Sequence, residues 1–275
     1  MNLKKRFMNR LLGKDVDMTP VGSTTTYGMV ELMHKCGAAR PLADSDPVAM
    51  AKLALAGWEY AGFEWVKAMG WDITAISEVF GCTLGEPAID RQYCIKASPF
   101  GDDIERLDYP SNFLQKGRFP AYKKQFRILQ AEIGTEAAIF GLCEGPFTCA
   151  ANLVGVEQLM KWALKAPDKL NRVLEITKQA EIDVINFAFD CGADYYCISE
   201  PTSGPSLLSP RLWGKIVQPV ITDIVSQAEG PVALHICGNT DSIIEMMCDT
   251  GVVGISIEEK ANLKQAVEIA HAKGV

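Results

Sequence analysis

The feature that most constrains the fold is a regular alternation of helix-period and strand-period segments that sets in at Phe119. Helix Pro120–Ile133 feeds a short apolar run, Ala137–Leu142. Helices Val156–Lys165 and Pro167–Phe189 follow, the second closed by Gly192. Run Asp194–Ser199 leads into helix Ser209–Val225, which has serine at its cap and proline just inside it. Run Val232–Cys237, helix Asp241–Cys248, run Val252–Ile257 and helix Asn262–Ala272 complete the chain. Strands that alternate with helices imply right-handed βαβ units and a parallel sheet. Upstream, Pro20–Ser23 and Phe63–Lys67 read as two further strands, the first running into a polar loop that ends at Thr26. That makes about six of the eight strands that close a barrel.

The first 60 residues read as a helical extension of the same domain. Leu3, Phe7 and Leu11 fall at helical spacing with Lys and Arg between them, a surface helix ending at Gly13. Tyr27–Cys36 and Asp46–Gly57 read as two more helices, and Asp72–Phe80 as another or as an extended arm. Residues 81–119 lack periodicity and are expected to form a long excursion with a hairpin near Arg91–Lys96. The expectation is one domain over 1–275.

A hydrophobic share of 48% and a charged share of 22% are those of a globular protein. The formal charge of −7, without a basic face, argues against a nucleic-acid partner. No secretory signal and no run of about 20 apolar residues are evident, so no membrane span and a cytoplasmic location are expected. Nine cysteines without a Cys-x-x-Cys pair fit buried thiols in a reducing compartment.

In parallel α/β folds the site gathers at the C-terminal strand ends. Those ends carry Cys143-Glu144-Gly145-Pro146, Glu200-Pro201-Thr202, His235-Ile236-Cys237-Gly238-Asn239 and Glu258-Glu259-Lys260. Side chains at i and i+2 of a strand share a face, so His235 and Cys237 would project together. An imidazole and a thiolate are two ligands that zinc prefers, and further ligands are needed. Glu144 and Glu200 are the candidate catalytic carboxylates of the pocket, Glu144 equally an anchor for the following turn. Asn239 is the candidate cofactor-binding residue, and Asn239 and Glu200 are the nearest candidates to orient His235. Glu258 and Glu259 beside Lys260 suit a salt-bridged structural role, and Cys143 and Cys197 suit buried structural thiols.

With these residues in view, the chain resembles the uroporphyrinogen decarboxylase superfamily, and within it the methylcobamide:coenzyme M methyltransferases. The resemblance runs nearly the full length: Arg10–Val21, Gly28–Gly37, Ser45-Asp46-Pro47, Glu144-Gly-Pro-Phe-Thr, Cys191-Gly-Ala-Asp, Leu208-Ser-Pro, His235-Ile-Cys-Gly-Asn and Ile257-Glu-Glu-Lys. It implies a (β/α)8 TIM barrel, with the last two βα units absent from these 275 residues. It also implies zinc held by His235, Cys237 and a cysteine that would lie beyond Val275. The implied reaction moves a methyl group from a methylated corrinoid, carried by a partner protein, to a thiol, with coenzyme M first in line. Tetrahydrofolate or homocysteine as acceptor, or a decarboxylase-like activity, are the enzymatic alternatives. Against the last, the first strand runs into Ser23-Thr24-Thr25-Thr26 without arginine, and acidic pocket loops repel a polyanionic porphyrinogen. A different class of reading is a non-catalytic shortened barrel that binds a corrinoid protein, its open edges favouring a homodimer.

Overall fold

The computed structural model describes residues 1–25 and 27–275; Thr26, at the end of the expected polar loop, lies outside them. The elements in chain order are α1 (Leu3–Leu11), α2 (Val30–Cys36), α3 (Pro47–Ala61), β1 (Trp65–Lys67), α4 (Ala75–Val79), β2 (Thr83–Leu84) and β3 (Ile95–Ala97). Then come α5 (Phe119–Ile133), β4 (Ala138–Glu144), α6 (Pro146–Val154), α7 (Val156–Lys165), α8 (Pro167–Asp190) and β5 (Tyr195–Ser199). The chain finishes with α9 (Pro210–Gln227), β6 (Val232–His235), α10 (Ile244–Cys248), β7 (Gly254–Ser256) and α11 (Leu263–Lys273).

Five parallel strands form one sheet in the order β1-β4-β5-β6-β7. Sequential order with a helical crossover between neighbours is what right-handed βαβ units produce. The strands are buried on both sides, which is why β4 and β5 read as near-continuous apolar runs.

Three expectations need correction. Pro20–Ser23 is not a strand, so the sheet has five strands rather than six. Its one backbone bond to the sheet region is Glu64 N–H to the Val21 carbonyl, 2.9 Å. The Val21 N–H goes instead to the Glu64 side chain at 3.4 Å, and proline at position 20 has no N–H to give. The hairpin is broader than residues 91–96: β2 and β3 pair antiparallel, with a bridge between Ala88 and Arg91 at its tip. Finally, Pro146–Val154 is a helix that the periodicity did not reveal, because this stretch is buried along nearly its whole length.

The first helix is also more than a surface element. Phe7 is buried, stacked on Trp65 at 4.3 Å and tilted against Tyr195 at 5.0 Å. The Lys4 N–H bonds the Glu136 carbonyl at 2.7 Å, and its ammonium pairs with Asp194 at 2.7 Å. Glu136 and Asp194 immediately precede β4 and β5, so α1 covers the N-terminal end of the sheet. The opposite end is left for chemistry.

Candidate active site

The C-terminal ends of all five strands surround one cavity of about 370 Å³. Lys67 ends β1, Leu142 belongs to β4, Ser199 ends β5, His235 ends β6 and Ser256 ends β7; all five line it. Trp71 and Asp72 enter from the turn after β1, and Cys237, Glu258 and Glu259 from the loops after β6 and β7. The turn after β1 is strained, since Met69 holds a left-handed φ of 64° and passes to Gly70 at 76°. Its cost is countered by Gln125, whose Oε1 accepts the Met69 N–H at 3.0 Å.

His235 and Cys237 do come together: Nε2 lies 3.0 Å from Sγ. The ladder ends at His235, so Cys237 is not part of the strand as expected. It follows Ile236, whose N–H still bonds the Ser256 carbonyl at 3.3 Å, and it precedes a turn in which Gly238 takes φ 85°, a conformation that favours glycine. Glu258 fixes that turn by accepting the Gly238 N–H at 2.6 Å while pairing with Lys260 at 3.1 Å. On the other side of the ring, Nδ1 lies 2.9 Å from Ser256 Oγ. Both contacts are satisfied when Nδ1–H donates to Ser256 and Nε2 accepts from the thiol. Burial pushes the imidazole pKa down, so the ring is neutral and its Nε2 lone pair is directed toward the cysteine. Although Cys237 reaches the surface, the enclosing wall and then the Glu258 carboxylate push its thiol pKa up.

Tetrahedral zinc bonds of about 2.0–2.3 Å would set the two donors about 3.5 Å apart, so this hydrogen-bonded pair at the cavity edge would open by about half an ångström to share an ion. A neutral imidazole anchored at Nδ1 and a soft sulfur are a donor set that fits zinc. Among the described residues no group of three or more His, Cys, Asp and Glu side chains converges, so these two stand as a pair.

The other expected site residues lie elsewhere. Glu144 is buried outside the cavity lining, accepting the Ser77 N–H at 2.8 Å and contacting Cys143 Sγ at 2.7 Å; burial raises its pKa. Glu200 caps α6, which no side chain of its own N-cap does. It accepts the N–H groups of Phe147 at 2.9 Å and Thr148 at 2.6 Å, and the Thr148 hydroxyl. Burial outweighs these donors and raises its pKa to about 7. Gly145 makes the cap attainable, since a Cβ there would sit 2.5 Å from Glu200 Oε2. Asn239 is exposed and closes a turn by accepting the Asp241 N–H at 3.0 Å. The side chains of Asn239 and Glu200 make no hydrogen bond to the His235 imidazole, although the Glu200 N–H donates to the His235 carbonyl at 2.8 Å.

The orienting residue is Ser256, which sequence reasoning missed. It is the register partner of His235 on the neighbouring strand, so aligning strand ends by position would have found it. Asp72 was also missed. It receives a fork from Arg118, with Nη1–Oδ2 at 2.5 Å and Nη2–Oδ1 at 3.0 Å. Burial alone would raise its pKa, but the Arg118 fork prevails and holds it low. Ser256→Ala should leave the fold intact and, with zinc on His235 and Cys237 as proposed below, weaken metal affinity or turnover by about 10- to 100-fold. Titration with a chromophoric zinc chelator beside steady-state assays reads both.

A family model described as uroporphyrinogen decarboxylase (URO-D) matches residues 2–275. The chain belongs to the URO-D family. Within that family it is similar to the methylcobamide:CoM methyltransferase MtaA of Methanosarcina barkeri, 36% identical over 94% of this chain and 76% of the relative. The methylcobamide:CoM methyltransferase MtbA of Methanosarcina mazei is 32% identical over 96% of this chain and 78% of the relative. A solved methyltransferase from Methanosarcina mazei superposes with a TM-score of 0.95 at 35% identity, covering 99% of this chain and 81% of that one. These relatives place the chain among the URO-D family methyltransferases. No helix among the described residues is long and apolar enough to cross a membrane.

Proposed function

We propose that this methyltransferase moves a methyl group from a methylated corrinoid, carried by a partner protein, to the thiol of coenzyme M, using zinc held by His235 and Cys237. The reading rests on one observation above all, the 3.0 Å approach of His235 Nε2 and Cys237 Sγ at the strand-end cavity. Relatives named methylcobamide:CoM methyltransferases support the donor and acceptor classes.

Zinc, when bound, supplies Lewis-acid stabilisation of a thiolate at neutral pH, where a free thiol with pKa near about 8.5 is mostly protonated. The residues prepare that chemistry. Ser256 locks the imidazole orientation through Nδ1, and burial keeps the ring unprotonated. Glu258 fixes the Gly238 turn and with it the position of the Cys237 sulfur. Glu200 acts at a distance as a positioning residue, by holding α6 against the 3₁₀ turn Pro201–Ser203 behind the cavity. In the transfer a C–S bond forms, the cobalt–carbon bond breaks with its electron pair staying on cobalt, and the thiol proton, lost as the thiolate forms, goes to solvent.

The cavity walls speak against a porphyrinogen carrying many carboxylates. Asp72, Glu258 and Glu259 line it, with Lys67 as the single Lys or Arg. The test is metal analysis of the intact chain together with loss of methylcobalamin absorbance on adding coenzyme M, tetrahydrofolate or homocysteine. About one zinc per chain and transfer to coenzyme M are expected. Zinc-free folded protein, or transfer to another acceptor alone, overturns the reading.

A further inference from the structure

Lys67 is an unusual residue to find at the end of a central-sheet strand. It is 2% exposed, yet it lines the cavity that holds His235 and Cys237. Among the described residues its ammonium has no hydrogen bond and no ion pair, and Nζ is not among the sealed-in polar atoms, so the charge opens on the cavity with no protein partner there. The nearby acids are engaged elsewhere. Asp72 is held by the Arg118 fork, and Glu258 by the Gly238 N–H and Lys260. Arg40, whose charge also acts on Lys67, pairs with Asp44 at 3.2 Å.

We infer that Lys67 binds the negatively charged tail of the acceptor thiol, so that the site selects small anionic thiols over neutral ones. This rests on the methyl-transfer reading and assigns the second half of the acceptor site. The donor pair takes the sulfur end; the lysine supplies a point charge for the other end. An incoming anion gives the buried ammonium the partner it lacks, so the interaction gains from the same low-dielectric wall that penalises the empty cation. Lys67 is near enough for its charge to disfavour protonation of His235, which places both groups in one field. Burial lowers its pKa to about 8, so the ammonium form prevails at neutral pH.

Binding and turnover test separate parts of the claim. Titrated calorimetrically into the intact protein, ethanesulfonate should bind at least about 10-fold more tightly than its neutral isostere ethyl methyl sulfone. Lys67→Met should erase that preference, and Lys67→Arg should retain most of it. Circular dichroism should show the variants folded, since removing an unpaired buried charge does not destabilise. With methylcobalamin as donor, Lys67→Met should raise KM for 2-mercaptoethanesulfonate about 10-fold or more and leave kcat/KM for neutral 2-mercaptoethanol within about threefold. A wild-type protein without preference for the sulfonate, or a Lys67→Met variant that keeps it, overturns the inference. If the preference follows Lys67 but neither thiol is methylated, the anion subsite stands and the methyl-transfer reading fails.

Discussion

Cys237→Ala is expected to lose methyl transfer by about 10³-fold, because on the proposed zinc reading several kcal/mol of Lewis-acid assistance depart with the metal. The structure makes this a clean experiment. Cys237 is exposed and lies beyond the end of β6, so its removal disturbs no ladder bond and no core contact. Stability should therefore change by less than about 0.5 kcal/mol. What the variant does lose is one of the two converging donors, leaving His235 Nε2 without its 3.0 Å neighbour. One imidazole does not hold zinc against a chelator, so metal content should fall with activity. Inductively coupled plasma analysis of dialysed protein, beside the methylcobalamin assay and a melting curve, reads all three quantities. Retained zinc with lost activity would mean that Cys237 serves some purpose other than ligation. Retained activity would remove the pair from the reaction altogether.

The sequence made this pair legible because two chemically distinctive residues sit two positions apart beside a glycine. The two side chains lie on the same side, with the Ile236 N–H between them still bonded to the Ser256 carbonyl and the turn at Gly238 coming after both. The alternation from Phe119 onward likewise announced β4 to β7, since buried parallel strands are apolar throughout. What stayed hidden depends on neighbours distant in sequence. Ser256 matters only through its register with His235, and Arg118 only through its reach across 46 residues to Asp72. Glu144 and Glu200 illustrate the converse. A carboxylate after a strand looks catalytic, but Glu200 is absorbed by the N-terminus of α6, a short helix buried along nearly its whole length. Lys67 was hidden for a related reason. A single lysine at a strand end normally lies in solvent, and nothing local says that this one is buried.

Arg118→Met should lower stability by about 3–5 kcal/mol, the usual cost of stripping one partner from a buried ion pair. Arg118 is the hub of the wall after β1. Beyond its fork onto Asp72 it donates to Glu78 at 2.8 Å and to the Thr74 hydroxyl at 2.9 Å, and it stacks on Tyr93 at 4.7 Å. Methionine keeps much of the volume but leaves the Asp72 carboxylate buried with only Thr74 to solvate it. For a chain of this size the loss corresponds to a fall in Tm of about 10 °C. The sign of its pH dependence follows from Asp72. In the parent protein the depressed carboxyl adds stability above the unfolded pKa of about 3.9, and that contribution is lost as pH falls through the folded value. In the variant, burial is opposed only by the Thr74 bonds and the Lys67 charge, so the carboxyl takes a proton at higher pH than in the parent. The gap between the two melting curves should therefore narrow steadily from pH 7 toward about pH 4. Adding Asp72→Asn to the variant removes the stranded charge and should recover a large part of the lost stability at pH 7. A gap that stays constant with pH, or a double variant no more stable than Arg118→Met, would mean that Arg118 supports this wall by packing on Tyr93 and not by holding a buried carboxylate.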